Sequence, residues 1–369
     1  DHLRLSHGKL LGQDILTKHS TTNYSVFRIM IRSCTKLVQF YQRHVSSCGA
    51  ILKLKKNVIS SGTFDNRRCY TSESNSDVHN VKYEIRPMRR CDIQGLYDLT
   101  SENNWNMEKS YLECVFNTDP SGLVIVVKDD GEVIGHNGIL AHGTDVASSG
   151  MNIVKEKYRK LGIGRKLFRA VMEVMKEKNV GGTALSNRIT FYQQFGWTIK
   201  SYTFHYNQGP VNPNFVKDVQ VEDLEIVPAA CISFDDVIAY DSELHTVPRP
   251  VYISNWAESP IAKTYVALKS GRICGYGVIR PADMGYRMYP LYADNPSVAK
   301  ALFCKLASHI PQGQDVIFTQ PVDNEYANDF VAGNKLRTYL SMTRLYNKKN
   351  IVVDIKRVYS ISTTEYGII

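Results

Sequence analysis

The chain has 369 residues, 43 % of them hydrophobic, and a formal net charge of +9 at pH 7. A domain typically holds roughly 100–200 residues, so this length favours two domains. The hydrophobic fraction is ordinary for globular cores. No apolar run reaches the ~18 residues that a membrane-spanning helix needs, which excludes a transmembrane helix.

The positive charge lies almost entirely near the N-terminus. Residues 1–72 contain 12 Lys and Arg against 3 Asp and Glu, whereas residues 73–369 contain 33 of each class. Nucleic-acid binding depends on clustered positive charge, so we expect no nucleic-acid partner for the neutral part. The eight cysteines show no CxxC pair and no zinc-ligand spacing, which favours free thiols, a reducing compartment and no metal.

Residues 1–72 have the composition of a mitochondrial transit peptide. From residue 30 to residue 70 there are eight Lys and Arg but one acidic residue, and the first turns can form a basic amphipathic helix. The tripeptide Arg68-Cys69-Tyr70 resembles a matrix-processing site. We therefore predict a mitochondrial matrix location; the alternative is a basic tail without function and a cytoplasmic location. Residues 1–29 contain no methionine and are a candidate for untranslated sequence.

Two periodicities alternate from residue 81 to residue 206. Alternating or β-branched apolar runs predict strands at 83–87, 123–127, 132–140, 151–154, 183–185 and 197–206. Apolar residues three or four apart predict a helix from Asp92 and helices at 107–116, 164–179 and 189–194. The third of these helices is predicted to end before the pair Gly181-Gly182.

The segment 207–227 contains prolines and little periodicity, and it is predicted as a linker between domains 81–206 and 228–369. Beyond it, strands are predicted at 263–268, 273–280, 286–291, 315–319 and 339–346, and helices at 296–309 and 324–331. This order repeats that of the first domain. The sequence therefore predicts a duplicated α/β unit.

A glycine-containing loop, Arg159-Lys160-Leu161-Gly162-Ile163-Gly164, joins a predicted strand to a predicted helix. Glycines allow close approach of the backbone, and the N–H groups of a helix N-terminus attract an anion. Lys160 and Arg165 add positive charge beside the loop. The pattern predicts a phosphate-binding loop, with a tight strand-to-helix turn as the alternative.

A second element, Phe191-Tyr192-Gln193-Gln194-Phe195-Gly196-Trp197, follows this helix. Together the two motifs resemble those of the GNAT superfamily of N-acetyltransferases, over about residues 81–206. The resemblance implies an acyl-CoA co-substrate, with acetyl-CoA expected, and transfer of the acyl group to an amine. It implies that Val154 lies on the strand that pairs with the pantetheine arm, and that Tyr192 protonates the leaving thiolate; for Tyr192, a core aromatic is the alternative. It also implies that the diphosphate is held by Arg159, Lys160, Leu161, Gly162, Ile163, Gly164 and Arg165.

The general base and the acceptor are less defined. Acyl transfer to an amine needs a group that removes a proton, yet no carboxylate lies on the segment 147–154. Glu102, His136 and His142 are candidates, and each can instead be a solvated or structural residue. Residues 73–369 carry no excess of acidic residues that would attract basic peptides. We therefore expect the acceptor to be the amine of a small molecule or amino acid. The alternatives are an acyl-CoA-binding regulator and an inactive scaffold.

The second domain lacks the Gly-x-Gly pattern. Residues 290–296 occupy the position of the loop, and the carboxylate of Asp294 at the helix start would repel a diphosphate. The segments 275–281, 290–294 and 343–346 resemble the C-terminal acetyltransferase-like domain of tandem GNAT proteins. The resemblance implies two α/β (α+β) folds with mixed, mostly antiparallel central sheets flanked by helices. The second would be a substrate-side or degenerate unit, or a packing partner only.

Overall fold

The computed structural model describes residues 81–367, apart from residues 175, 176, 218, 220 and 246. These residues belong to one structural unit, Arg67–Ile369. The predicted transit peptide, residues 1–72, lies outside the described residues.

The described elements follow the chain as two successive halves. The first half contains β1 (Tyr83–Pro87), α1 (Ile93–Glu102), α2 (Lys109–Thr118), β2 (Leu123–Lys128), β3 (Val133–His142), β4 (Val146–Val154), α3 (Ile163–Val174), β5 (Asn179–Leu185), α4 (Ile189–Gln193) and β6 (Ile199–Pro210). The second half contains β7 (Leu224–Pro228), α5 (Phe234–His245), α6 (Pro250–Ala257), β8 (Lys263–Lys269), β9 (Arg272–Pro281), β10 (Tyr286–Ala293), α7 (Pro296–Ala307), β11 (Asp315–Pro321), α8 (Glu325–Asn334), β12 (Arg337–Tyr346) and β13 (Val358–Ser360).

The strands form one 13-stranded sheet in the order β1-β2-β3-β4-β5-β12-β6-β11-β10-β9-β8-β7, with β13 beside β10. If each strand of one half is exchanged for its counterpart in the other, the order reads the same in reverse. The two halves are therefore related by a pseudo-twofold axis between β12 and β6. The pairs β4–β5 and β10–β11 are parallel and the other described pairs are antiparallel, which confirms the predicted mixed, mostly antiparallel architecture.

The last long strand of each half completes the sheet of the other half. β12 pairs with β5 from Met342 opposite Leu185 to Tyr346 opposite Gly181. Residues 204–210 of β6 pair with the whole of β11. Backbone hydrogen bonds thus cross the boundary between the halves, and separating them would expose unpaired strand edges. The predicted linker, 207–227, includes the end of β6 at Pro210 and the start of β7 at Leu224.

The predicted bounds of α3 and β5 were wrong. The helix was predicted to continue to about residue 179 and the strand to span only 183–185, whereas α3 ends at Val174 and β5 spans Asn179–Leu185. The strand begins at Asn179 and contains both glycines of the pair Gly181-Gly182. Its start is fixed because Val180 N–H donates to the side-chain oxygen of Asn347 at 2.7 Å. The glycines are needed inside the strand because a Cβ at either position would collide with Tyr346 or Trp197. They permit close packing, and they do not end a helix.

Two layers of core flank the first half of the sheet. On one face α3 packs through Leu167, Phe168 and Val171 against residues of β2, β3 and β4. On the other face α1 and α2 share a core with α6 of the second half, where the rings of Tyr111 and Trp256 meet edge to face at 5.4 Å. Helices α5 and α6 and strands β7 and β13 were not predicted. Within the described part of the chain, no helix has the length and hydropathy required to cross a membrane.

Candidate active site

The strands β4 and β5 diverge after a short paired stretch. Their parallel pairing covers Val146–Ser149 against Asn179–Gly182, and β4 then continues to Val154 while it pairs only with β3. On its other side β5 stays paired with β12 up to Leu185. The edge of β4 from Gly150 to Val154 therefore faces a wedge-shaped opening. Such a free strand edge can pair with an extended ligand arm.

A β-bulge lies at the point where the opening begins. Gly138 opposes Gly150 and His136 opposes Ile153, so β4 contains one residue more than β3 in this interval. Met151 adopts φ +60°, a left-handed conformation that is unfavourable for a residue with a long side chain. Bulges and strained residues of this kind occur preferentially at functional sites. The sequence analysis did not identify the bulge, because it placed the start of the strand at Met151.

The predicted phosphate-binding loop connects the open end of β4 to α3. Lys160 and Gly162 have φ values of +67° and +81°, and the two turns that they form direct the chain into a helix that begins at Ile163. The first N–H groups of a helix have no acceptor within the helix and carry partial positive charge. A Cβ at Gly162 would meet no heavy atom within 4 Å, so the loop is open on this side.

The cations of the loop reinforce this anion site. Arg159, Lys160 and Arg165 are exposed. Arg159 is oriented by its Nε–H, which donates to the carbonyl oxygen of Val154 at 3.0 Å, and by a hydrogen bond to the side chain of Asn103. The structure thus brings together Val154 and the loop residues that the sequence analysis assigned to the diphosphate: Arg159, Lys160, Leu161, Gly162, Ile163, Gly164 and Arg165.

Tyr192 lies on α4, which follows β5 on the face of the sheet that carries α3. Its ring stacks on the ring of Trp197 and meets the ring of Phe168 edge to face, with 5.7 Å between the ring centroids in each pair. Burial raises the pKa of Tyr192, so its phenol remains protonated at neutral pH and can donate a proton. The packing is that of a core aromatic, and the protonation state is that required of a general acid. The role predicted for Tyr192 therefore stays a prediction.

The three base candidates have other contacts. Glu102 forms an ion pair with Lys155, with 3.0 Å between the Lys155 Nζ and a carboxylate oxygen. His136 lies 3.1 Å from the hydroxyl of Tyr366, and His142 lies 2.7 Å from the hydroxyl of Ser148. Burial lowers the pKa of each histidine to about 3, so both are weak bases. These contacts favour structural roles for the two histidines.

A segment that the sequence analysis did not connect with the site, Ile361–Gly367, crosses the α1–α2 face of the sheet. Thr183 donates to the carbonyl oxygen of Thr364 at 2.8 Å, and the Tyr366 hydroxyl donates to the carbonyl oxygen of Gly150 at 3.1 Å. Glu365 lies between these contacts and accepts a hydrogen bond from Tyr111 at 3.3 Å. Because about 215 residues of chain separate Glu365 from Gly150, no local pattern could have indicated this proximity.

The equivalent opening of the second half is filled. β10 and β11 pair only at Tyr286–Val316 and Arg287–Ile317, and β13 then pairs with β10 where the strands would diverge. The helix α7 is capped by the side chain of Asn295, which accepts from two backbone N–H groups. Asp294 beside it pairs with Arg357 at 2.7 Å. The described residues of this half therefore offer, at the equivalent place, neither an unpaired strand edge nor an open cationic loop.

Comparison with known proteins agrees with these observations. The acetyltransferase (GNAT) family model matches residues 91–197, and an acetyltransferase (GNAT) domain model matches residues 237–360. Holothin acyltransferase of Pseudoalteromonas sp. (strain SANK 73390) is 22 % identical over 270 residues, which cover 71 % of this chain and 87 % of that protein. A proposed alanine N-acetyltransferase for ribosomal protein bS18 of Bacillus subtilis (strain 168) is 28 % identical over 141 residues, 37 % of this chain and 89 % of that protein.

A solved structure supports the arrangement of the two halves. The crystal structure of a proposed acetyltransferase from Pyrococcus horikoshii matches with a TM-score of 0.67 at 21 % identity, over 80 % of this chain and 99 % of that chain. At this identity the likeness concerns the fold. Within the described residues, no group of three or more His, Cys, Asp or Glu side chains could hold a metal ion. The chain belongs to the GNAT superfamily, as a tandem protein with one GNAT domain in each half, and its relatives are acyltransferases.

Proposed function

We propose that the first half is an acyl-CoA-dependent N-acyltransferase that uses acetyl-CoA and acylates the amine of a small molecule or amino acid. One observation carries the proposal: within the described residues, no strand pairs with β4 on its β5 side from Gly150 to Val154, directly beside the cationic loop at Arg159–Gly164. This juxtaposition suits a ligand with an extended amide-bearing arm and an anionic diphosphate. The GNAT relatives named as acyltransferases support the same chemistry.

Each part of the site then has one task. The backbone of β4 beside Val154 pairs with the pantetheine amides, and the loop N–H groups with Lys160 and Arg165 hold the diphosphate. The amine nitrogen attacks the thioester carbonyl carbon, the new C–N bond forms, and the C–S bond breaks. Tyr192 donates its phenolic proton to the departing sulfur, and the amine loses one proton to a base.

The expected acceptor follows from charge and from one relative. Residues 73–369 have no net charge, so long-range steering does not favour a basic protein partner. The relative from Bacillus subtilis is named for an alanine amino group. A primary amine on a small molecule or amino acid is the acceptor class that we propose. The alternative, an acyl-CoA-binding regulator or scaffold without turnover, is not favoured, because two relatives are named for the transfer of an acyl group.

The proposal is tested by following thiol release from acetyl-CoA and longer acyl-CoAs with a panel of amines. Gly162→Glu should abolish acyl-CoA binding and transfer, because it places a carboxylate at the helix N-terminus. Gly313→Glu is the matched control: Gly313 has φ +84°, against +81° for Gly162, and open space around its Cβ position. If the wild-type chain binds no acyl-CoA, the enzyme and the regulator are both refuted.

We also propose the mitochondrial matrix as the location, on the composition of residues 1–72 alone. The test is import of the full chain into isolated mitochondria, followed by N-terminal sequencing. Processing next to Tyr70 supports the proposal. An unprocessed chain that stays outside contradicts it and favours the cytoplasm.

A further inference from the structure

The segment Ile361–Gly367 touches β4 and β5 where they part. Gly150 and Thr183 are the first residues beyond the paired stretch, which ends at Ser149 opposite Gly182. Both contact the segment: Thr183 bonds to Thr364, and Gly150 accepts from the Tyr366 hydroxyl. The segment therefore lies at the level where the opening between β4 and β5 begins.

Gly150 has a close-packing requirement that explains how the segment is seated. A Cβ at Gly150 would lie 2.6 Å from the carbonyl carbon of Glu365 and 2.7 Å from its Cα. Both distances are shorter than real Cβ contacts, so only glycine allows the segment to approach β4 this closely. The space that a β4 side chain would take is thus occupied by the backbone of Glu365.

Glu365 differs from its neighbours in exposure. Thr363, Thr364 and Tyr366 are at most 2 % exposed, whereas Glu365 is only partly buried. Its carboxylate accepts from the hydroxyl of Tyr111, which is fully buried on α2 and holds the carboxylate in place. The Glu365 side chain is therefore anchored at one oxygen and accessible from outside.

The charged and titratable groups around Glu365 come from α2, α6, β6, β10, β12 and its own segment. Its negative charge acts, after burial itself, to raise the pKa of Tyr111 and Tyr206, and it favours the protonated form of the Arg287 guanidinium. The groups that face it within the described residues are Tyr111, Tyr206, Tyr252, Arg287, Tyr289, Tyr339 and Tyr366. Arg287 is the cation of this set, and Glu365 is the carboxylate that these groups surround.

We propose that Glu365 is the general base of the first half: it takes the proton that the amine loses as the C–N bond forms. The inference rests on the proposed function, and the leaving sulfur receives its proton separately, from Tyr192. No carboxylate lies on β4, and the buried histidines beneath the segment are too weakly basic at about pKa 3. Glu365 supplies a carboxylate on a segment whose backbone packs against Gly150, where the opening begins, and a carboxylate can act as the base that those residues do not provide.

The proposal gives the second half a role in catalysis. Glu365 follows β13 by five residues, and β13 is held in the filled opening between β10 and β11. Thr319 of β11 makes two hydrogen bonds to the segment. Its N–H donates to the Ser360 hydroxyl, and its carbonyl oxygen accepts from the N–H of Ile361. The opening that no longer offers an acyl-CoA site thus anchors the segment that completes the other one.

The test compares the full-length wild type with Glu365→Gln at saturating acyl-CoA. We expect kcat/KM for an alkyl amine to fall by about 10²–10⁴-fold and its pH profile to lose the limb due to the base, while acyl-CoA affinity stays unchanged. The loss should shrink for a weakly basic acceptor such as hydroxylamine, because its nitrogen loses the proton more readily than that of an alkyl amine as the C–N bond forms. Glu113→Gln, on the exposed side of α2, is the matched control and should behave as wild type.

The outcomes separate the two proposals. If the wild type transfers an acyl group and Glu365→Gln retains its rate and pH profile, Glu365 is not the base and the proposed function stands. If the wild type transfers to no amine, the proposed function itself fails. Should Glu365→Gln bind acyl-CoA poorly, Glu365→Asp decides: a base predicts partial activity with an altered pH profile, and a structural role predicts an unaltered one.

Discussion

The two halves share one topology but differ at the place where their central parallel strands diverge. In the first half β4 leaves β5 after Ser149, and the opening ends at a loop with two left-handed residues and exposed cations. In the second half β13 occupies the corresponding opening, and the helix start carries Asn295 and Asp294. The difference shows that a GNAT fold can keep its strand order while the free edge and the anion site are both replaced.

The largest stability effect is expected in the second half. Asp241 is fully buried and accepts from Arg249 at 2.8 and 2.9 Å and from Tyr276 at 2.6 Å. Asp241→Asn would leave the Arg249 charge without its partner, so the free energy of unfolding should fall by about 3–5 kcal/mol. Urea unfolding measures this change in the free energy of unfolding. The control is Asp236→Asn, at an exposed position on the same helix. Equal stability of the two variants would mean that this ion pair does not hold the second half together.

Acid should destabilise the first half through its buried histidines. Burial lowers the pKa of His136 and His142 to about 3, whereas an unfolded histidine titrates near pH 6.5. The unfolded chain therefore binds more protons below that pH, and stability is lost as pH falls from about 6.5 towards 3. The loss should be about 1.4 kcal/mol per pH unit for each histidine. His142→Gln should reduce the slope by about one proton in urea unfolding between about pH 4 and 5.5, where an unfolded histidine is almost fully protonated; an unchanged slope would contradict the assignment.

Tyr192→Phe tests whether Tyr192 is the general acid. The substitution removes the hydroxyl and keeps the aromatic ring, so it separates a catalytic role from a packing role. The ring contacts with Phe168 and Trp197 remain, so stability and acyl-CoA affinity should change little. If the hydroxyl protonates the leaving sulfur, kcat should fall by about 10²-fold or more. Stopped-flow thiol detection measures this. Wild-type kcat in the variant would leave Tyr192 as a core aromatic.

The smallest effect is expected from restoring one residue of the lost loop. Asp294→Gly removes the carboxylate at the start of α7, yet β13 still fills the opening beside it. We therefore expect no second acyl-CoA to bind. A second bound acyl-CoA in calorimetric titration of this variant would show that the carboxylate alone, and not β13, closes the second half.

The same comparison shows which features the sequence could predict. The loop at 159–164, the element around Tyr192 and most strands follow from contiguous patterns, since glycine pairs and periodicity are local signals. The insertion of β12 beside β5, the full length of β5 and the position of Glu365 depend on residues that are far apart in the chain. A glycine in the sequence can indicate either the end of a helix or a site of close packing. Gly181 was predicted to follow the end of a helix, but it makes room for the ring of Tyr346, which lies 165 residues later in the chain.

The most direct test of the account is the number of acyl-CoA molecules bound per chain, measured by native mass spectrometry and calorimetry on the full chain. The account predicts one per chain in the wild type, none in Gly162→Glu and one in Gly313→Glu. Two per chain in the wild type would place an acyl-CoA in the second half, and one retained in Gly162→Glu would show that the loop at Arg159–Gly164 does not hold it; either result would contradict the proposed site.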